Sequence, residues 1–131
     1  MHSFKKEERL CNIKLIEKLY HDGSSFLVYP FKIVWLPEDL NSGLPVQVLI
    51  SVPKKKFKRA TDRNLIKRRI RELYRLHKSE DLYPFLNEHS VNMLLGINYI
   101  GNEIGDYAFM KKKFLAALLR LKKSYLSTHV E

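Results

Sequence analysis

The hydrophobic pattern divides the chain into seven elements. Ile13, Ile16, Leu19 and Tyr20 recur at a spacing that places them on one side of a helix, which predicts an amphipathic helix over residues 5–22. Gly23 is placed to cap its C-terminal end. Residues 25–29 and 31–36 are dense in aromatic and β-branched side chains and are separated by Pro30, which predicts two strands. Residues 37–45 carry the Pro, Asn, Ser and Gly of a loop, and residues 46–52 read as a third strand closed by Pro53.

A second amphipathic pattern predicts a helix starting at Thr61 or Asp62 and running to about Lys78, with Ile66, Ile70, Leu73 and Tyr74 on its buried stripe. Residues 80–90 read as irregular, with a short helical turn broken by Pro84, and residues 91–100 as a fourth strand. Asp106 is placed to cap a final helix to about Ser127, in which Phe114, Leu118, Leu121 and Tyr125 share a face. The order α-β-β-β-α-β-α predicts an α+β sandwich, a single domain over residues 1–131 with helices packed on one mixed sheet. Hydrophobic residues make up 45% of the chain, with only five Gly and five Pro, so a folded core is expected rather than a disordered tail.

Charge changes the picture. The chain carries 24 Lys and Arg against 14 Asp and Glu. Residues 54–75 hold eleven of the basic residues and two of the acidic ones, so this segment alone carries +9 of the net +10. A charge serving solubility would be spread over the surface; one concentrated like this is the footprint of a polyanion-binding face. On a helical wheel Asn64, Lys67, Arg68, Arg71 and Arg75 fall in one arc, opposite the apolar stripe. Like charges three and four residues apart repel, and a bound polyanion relieves that repulsion. The open readings are an RNA-binding protein, ribosomal proteins among them, and a DNA-binding protein with this helix in a groove. The second is disfavoured because base-reading arrays intersperse amides with the cations, and only Asn64 is present here.

Other chemistry is sparse. Cys11 is the only cysteine, which excludes an intramolecular disulfide and a cysteine zinc site. His2, His21, His77, His89 and His129 show no metal-ligand spacing, and no carboxylate cluster suggests a nuclease centre. Lys111, Lys112 and Lys113 form a second basic run, read as a solvated helix face. The first residues lack the apolar stretch of a signal peptide and no apolar run reaches transmembrane length, so a cytoplasmic chain without a membrane partner is expected.

The run from Ser51 through Lys54-Lys55, Phe57 and Ala60, then Arg63-Asn64, Lys67-Arg68 and Arg71-Glu72, resembles the signature of the bacterial ribonuclease P protein family. Arg9-Leu10 ahead of the first helix and Gly23-x-Ser25 before the aromatic strands fit the same order. Leu65 departs from it, standing where the family has a second Arg, but it lies away from the cationic arc.

The resemblance implies a protein subunit of a ribonucleoprotein endoribonuclease. Such a subunit assists a catalytic RNA in removing the 5′ leader from precursor tRNA. It implies that the chemistry and its Mg²⁺ belong to the RNA, that the protein binds no cofactor itself, and that no obligate protein partner is needed. It implies RNA contacts from Lys54, Lys55, Arg59, Arg63, Asn64, Lys67, Arg68, Arg71 and Arg75. It implies a leader cleft between the first helix and the sheet, at Ile16, Tyr20 and Phe31, where the Tyr20 ring is suited to stacking on bases of varied sequence. It also implies a left-handed β-α-β crossover around the basic helix, against the usual hand.

Overall fold

The computed structural model describes residues 4–40 and 43–129; residues 41 and 42 of the expected 37–45 loop lie outside them. Four strands form one open mixed sheet: β1 (Ser24–Val28), β2 (Phe31–Pro37), β3 (Val46–Ser51) and β4 (Met93–Tyr99), in the order β1-β2-β4-β3. The β1/β2 and β2/β4 pairs are antiparallel and the β3/β4 pair is parallel. The parallel pair is joined through the basic helix α2 (Ala60–Asp81) and the short α3 (Tyr83–Glu88). With α1 (Ile13–Asp22) and α4 (Tyr107–His129), the architecture is the expected α+β arrangement of helices on one mixed sheet.

Alternation along the strands sorts the side chains to two faces. Phe31, Ile33 and Trp35 of β2 join Met93, Leu95, Ile97 and Tyr99 of β4 and Val46 and Val48 of β3 on one face. Helices α2 and α4 cover it, through Ile66, Ile70, Leu73 and Tyr74 and through Phe114, Leu118, Leu121 and Tyr125 respectively. The opposite face presents Val34, Leu36, Leu94 and Leu49, and α1 packs there through Leu15, Ile16 and Leu19. A fully buried Leu, Ile or Phe contributes about 1.5–3 kcal/mol, so the larger α2/α4 layer dominates the stability.

Three boundaries differ from the sequence expectation. The single helix over 5–22 is instead a short 3-10 turn (Lys6–Glu8), an extended strap, and α1 from Ile13. The strap is held by long-range contacts that periodicity does not encode: Arg9 bridges Val48 of β3, and the Leu10 N–H donates to the Val48 carbonyl at 2.9 Å. Asn12 caps α1, its Oδ1 accepting from the Leu15 N–H at 3.2 Å. Ile13, expected on the buried face, is 72% exposed in the first turn.

Helix α2 begins at Ala60 with Arg59 in the capping position and no side-chain cap, so neither Thr61 nor Asp62 serves. Pro84 does not break a turn but stands in the first turn of α3, where its missing N–H costs nothing. Gly23 does close α1, in an extended conformation. A Cβ there would meet the Leu19 carbonyl at 2.3 Å and the Trp35 carbonyl at 3.0 Å. Asp106 caps α4 as expected, its Oδ1 accepting from the Phe109 N–H at 2.9 Å.

Candidate RNA interface

The stripe Ile66, Ile70, Leu73 and Tyr74 is fully buried, which fixes the rotation of α2 and turns its other side outward. Asn64, Arg68 and Arg71 are exposed there, with Lys67 half-buried between them. Among the described residues no carboxylate pairs with Lys67, Arg68 or Arg71. Lys54, Lys55 and Arg59 are exposed on the connection leading into the helix, which the buried Phe57 pins to the core. Lys56 is tied down by its ammonium, which donates to the Ile100 carbonyl at 2.7 Å.

Two of the expected contact residues have partners within the chain. Arg63 turns back and donates to the carbonyls of Phe57 and Lys58 at 2.8 and 3.0 Å, so it shapes the loop before α2. Arg75 forms a two-point pair with Glu72, at 2.5 and 3.2 Å. That hydrogen bond holds the Glu72 carboxyl below its ordinary value and raises the Arg75 guanidinium. Sequence spacing put Glu72 off the cationic arc, but Arg75 reaches it across one helical turn. Arg69, outside the arc, donates to the Gly105 carbonyl at 2.5 Å and staples α2 to the start of α4.

The second expected site lies on the α1 face. Tyr20 is 44% exposed, and its hydroxyl donates to Asn98 Oδ1 of β4 at 2.7 Å. Asn98 in turn donates to the Lys32 carbonyl at 3.1 Å. Burial raises the Tyr20 hydroxyl above its ordinary value, against the opposing Asn98 bond. Gly96 makes room for this arrangement, since a Cβ there would stand 3.0 Å from the Tyr20 oxygen. Ile16 lines the same face, half-buried.

Phe31 does not belong to this cleft. It is fully buried on the opposite face, its ring 6.0 Å from Tyr99 and 6.1 Å from Phe114 in edge-to-face contacts. The strand pleat turns Lys32 and Val34 toward α1 instead, so those residues and Asn98 were missed; the alternation along 31–35 was the available signal.

The strap was missed as well. In the 3-10 turn that leads into it, Glu8 is 2% exposed and its carboxylate pairs with the ammonium of Lys78, a residue 3% exposed, toward the far end of α2. The Tyr83 hydroxyl donates to the same carboxylate at 2.8 Å. Lys78 also sits 5.7–5.9 Å from the ring centres of Phe4, Tyr74 and Tyr83. Burial pushes the Glu8 carboxyl upward, but bonds from Lys78, the Lys5 N–H and Tyr83 outweigh it and hold the group below its ordinary value. This lock fixes Arg9 alongside the basic face of α2.

Among the described residues no three His, Cys, Asp or Glu side chains gather as a metal site requires; His2 and the side chain of His129 lie outside them. No described helix is long and apolar enough to cross a membrane.

A family model described as Ribonuclease P matches residues 4–93. The ribonuclease P protein component of Porphyromonas gingivalis is 31% identical over 116 residues, covering 88% of this chain and 84% of that one. The chain belongs to the ribonuclease P protein family. The component from Petrotoga mobilis is 34% identical over 77 residues, 59% of this chain and 62% of that one. Two solved structures share the fold: the RNase P protein of Thermotoga maritima, with a TM-score of 0.69 at 21% identity (86% of this chain, 96% of that one), and that of Staphylococcus aureus, with a TM-score of 0.66 at 22% identity (88% and 95%). As a ribonuclease P protein component, the chain is part of a tRNA-processing ribonucleoprotein and has an RNA subunit as its partner.

Proposed function

We propose that this ribonuclease P protein binds its RNA subunit through the outward face of α2 and holds the single-stranded 5′ leader of precursor tRNA on the α1 face of the sheet. The RNA subunit, with its bound Mg²⁺, supplies the cleavage chemistry, and no further protein is needed. The observation that carries the reading is the cationic face of Lys67, Arg68 and Arg71, which among the described residues has no carboxylate partner, extended by Lys54, Lys55 and Arg59 and flanked by Asn64. Arginine forks engage phosphate with two parallel bonds, and an amide reaches phosphate or 2′-hydroxyl. Arg63 and Arg75 serve the site indirectly, by holding the loop and the helix in shape. On the other face Tyr20 offers an exposed ring beside Ile16 for stacking on an unpaired base.

The test is cleavage of a precursor tRNA by a bacterial ribonuclease P RNA, with and without the purified protein, across a Mg²⁺ titration. The protein is expected to lower the Mg²⁺ needed or to tighten substrate binding, and to cleave nothing alone. Cleavage by the protein without RNA would overturn the division of labour, and an unchanged titration would overturn the assisting role.

A further inference from the structure

A groove of about 310 Å³ opens where the strap, the β3 edge and α2 meet, a volume at the lower end of small-molecule sites. Its chemistry is two-sided. The floor is apolar, built from Leu10, Val48, Leu49 and Ile50. The rim is cationic: Arg9 comes from the strap, and Lys67 and Arg71 come from successive turns of α2. The Arg9 guanidinium lies 5.5 Å from the centre of the Phe4 ring, which props it at the rim. Among the described residues none of the three cations has a carboxylate partner.

Three cations around an apolar hollow repel one another, and the hollow leaves Leu49 and Ile50 only half-covered. A ligand that relieves both carries negative charge next to an apolar body. A nucleotide has that combination. A duplex does not present it, because its phosphates are accessible but its bases are stacked inside.

We propose that this groove takes one unpaired nucleotide of bound RNA. Its base lies against Ile50 on the α2 side of β3, and its phosphate sits between Arg9, Lys67 and Arg71. The inference rests on the RNA-binding reading of α2 and adds which part of the RNA the protein selects there. It also gives the strap a role, since Arg9 is supplied from the other end of the molecule's long-range lock.

Cys11 lines the same groove, is exposed, and is the only cysteine of the chain, so its alkylation reports occupancy. The experiment measures the rate of reaction with N-ethylmaleimide for the whole chain in three complexes. These contain a short oligoadenylate, an abasic strand of the same length, and an RNA duplex, each at a concentration shown by fluorescence anisotropy to saturate the protein. The oligoadenylate is expected to slow alkylation by on the order of tenfold, as a stacked base would; the abasic strand and the duplex are expected to leave it fast. Protein alkylated beforehand keeps every cation, so its affinity for oligoadenylate should fall by about the same factor with an unchanged salt dependence. Equal protection by the abasic strand or the duplex would overturn the proposal, because the cations alone would then explain it. So would an oligoadenylate that binds without protecting Cys11. Failure of all three ligands to bind would overturn the RNA-binding reading beneath it, and is distinguished by the anisotropy.

Discussion

Replacing Lys78 by Met tests whether the buried ion pair between the N-terminal 3-10 turn and α2 organises the protein. The variant keeps side-chain volume but leaves the Glu8 carboxylate, 2% exposed, without its cation. Removing one partner of a buried pair costs about 3–5 kcal/mol, far more than the 0–1 kcal/mol of a surface pair. Restoring neutrality with a second change, Glu8→Leu, should recover most of that loss, because the attraction in a buried pair roughly offsets its desolvation. The sign of the pH dependence follows from the Glu8 carboxyl, which is held below the ordinary value of 4.5 in the folded protein. Its contribution is complete above that value and disappears as pH falls through the lower folded value. In Lys78→Met, burial raises the carboxyl with less opposition, so the deficit relative to the parent should be largest near neutral pH and shrink as pH falls through the variant's higher carboxyl value toward the parent's lower one. Urea unfolding of parent, both single variants and the double variant at neutral and acidic pH reads this out. A loss under about 1 kcal/mol for Lys78→Met at neutral pH, or a double variant no more stable than either single one, would refute the reasoning.

Arg68→Ala and Arg71→Ala should each weaken binding to the ribonuclease P RNA by about 1–3 kcal/mol without lowering the melting temperature, since both side chains lie outside the core. With roughly four to six cations engaged, the parent's affinity should fall with salt at a log–log slope of about −3 to −5, and a slope near zero in a filter-binding titration would exclude phosphate contact. Tyr20→Ala should weaken precursor tRNA more than mature tRNA, by about 1–3 kcal/mol, while sparing assembly with the RNA. Phe31→Ala should instead cost about 3–5 kcal/mol of stability and affect both substrates alike. A leader-specific defect for Phe31 would contradict its placement under α4.

Much of this was legible in the chain, and the reasons differ by element. Helix α4 and the stripe of α2 declare themselves because their packing partners are broad apolar layers that any 3.6-residue periodicity can satisfy. The charge of residues 54–75 was legible because only Asp62 and Glu72 stand against its eleven basic residues. The strap and the turn before it were not, because the strap is held by Val48 and the turn by Lys78 and Tyr83, distant in sequence, which compete with the local helical pattern and prevail. Phe31 was misplaced for a simpler reason: assigning a strand residue to a cleft requires knowing which face the pleat gives it, and a shift of one residue reverses the answer. The pairing of Arg75 with Glu72 could have been read from their spacing, since neighbours three apart on a helix meet.

The strap and Arg120 together bear on how copies of the chain behave toward one another. An open sheet has two free edges, and free edges recruit strands from other molecules. Here Arg9 and Leu10 occupy part of the β3 edge, and the Arg120 guanidinium donates to the Leu27 carbonyl on β1 at 3.0 Å. In free solution a net charge of +10 already keeps copies apart. Where bound RNA neutralises that charge, electrostatic repulsion between copies is lost. The partly covered edges then act as a barrier to strand-to-strand aggregation that does not depend on net charge.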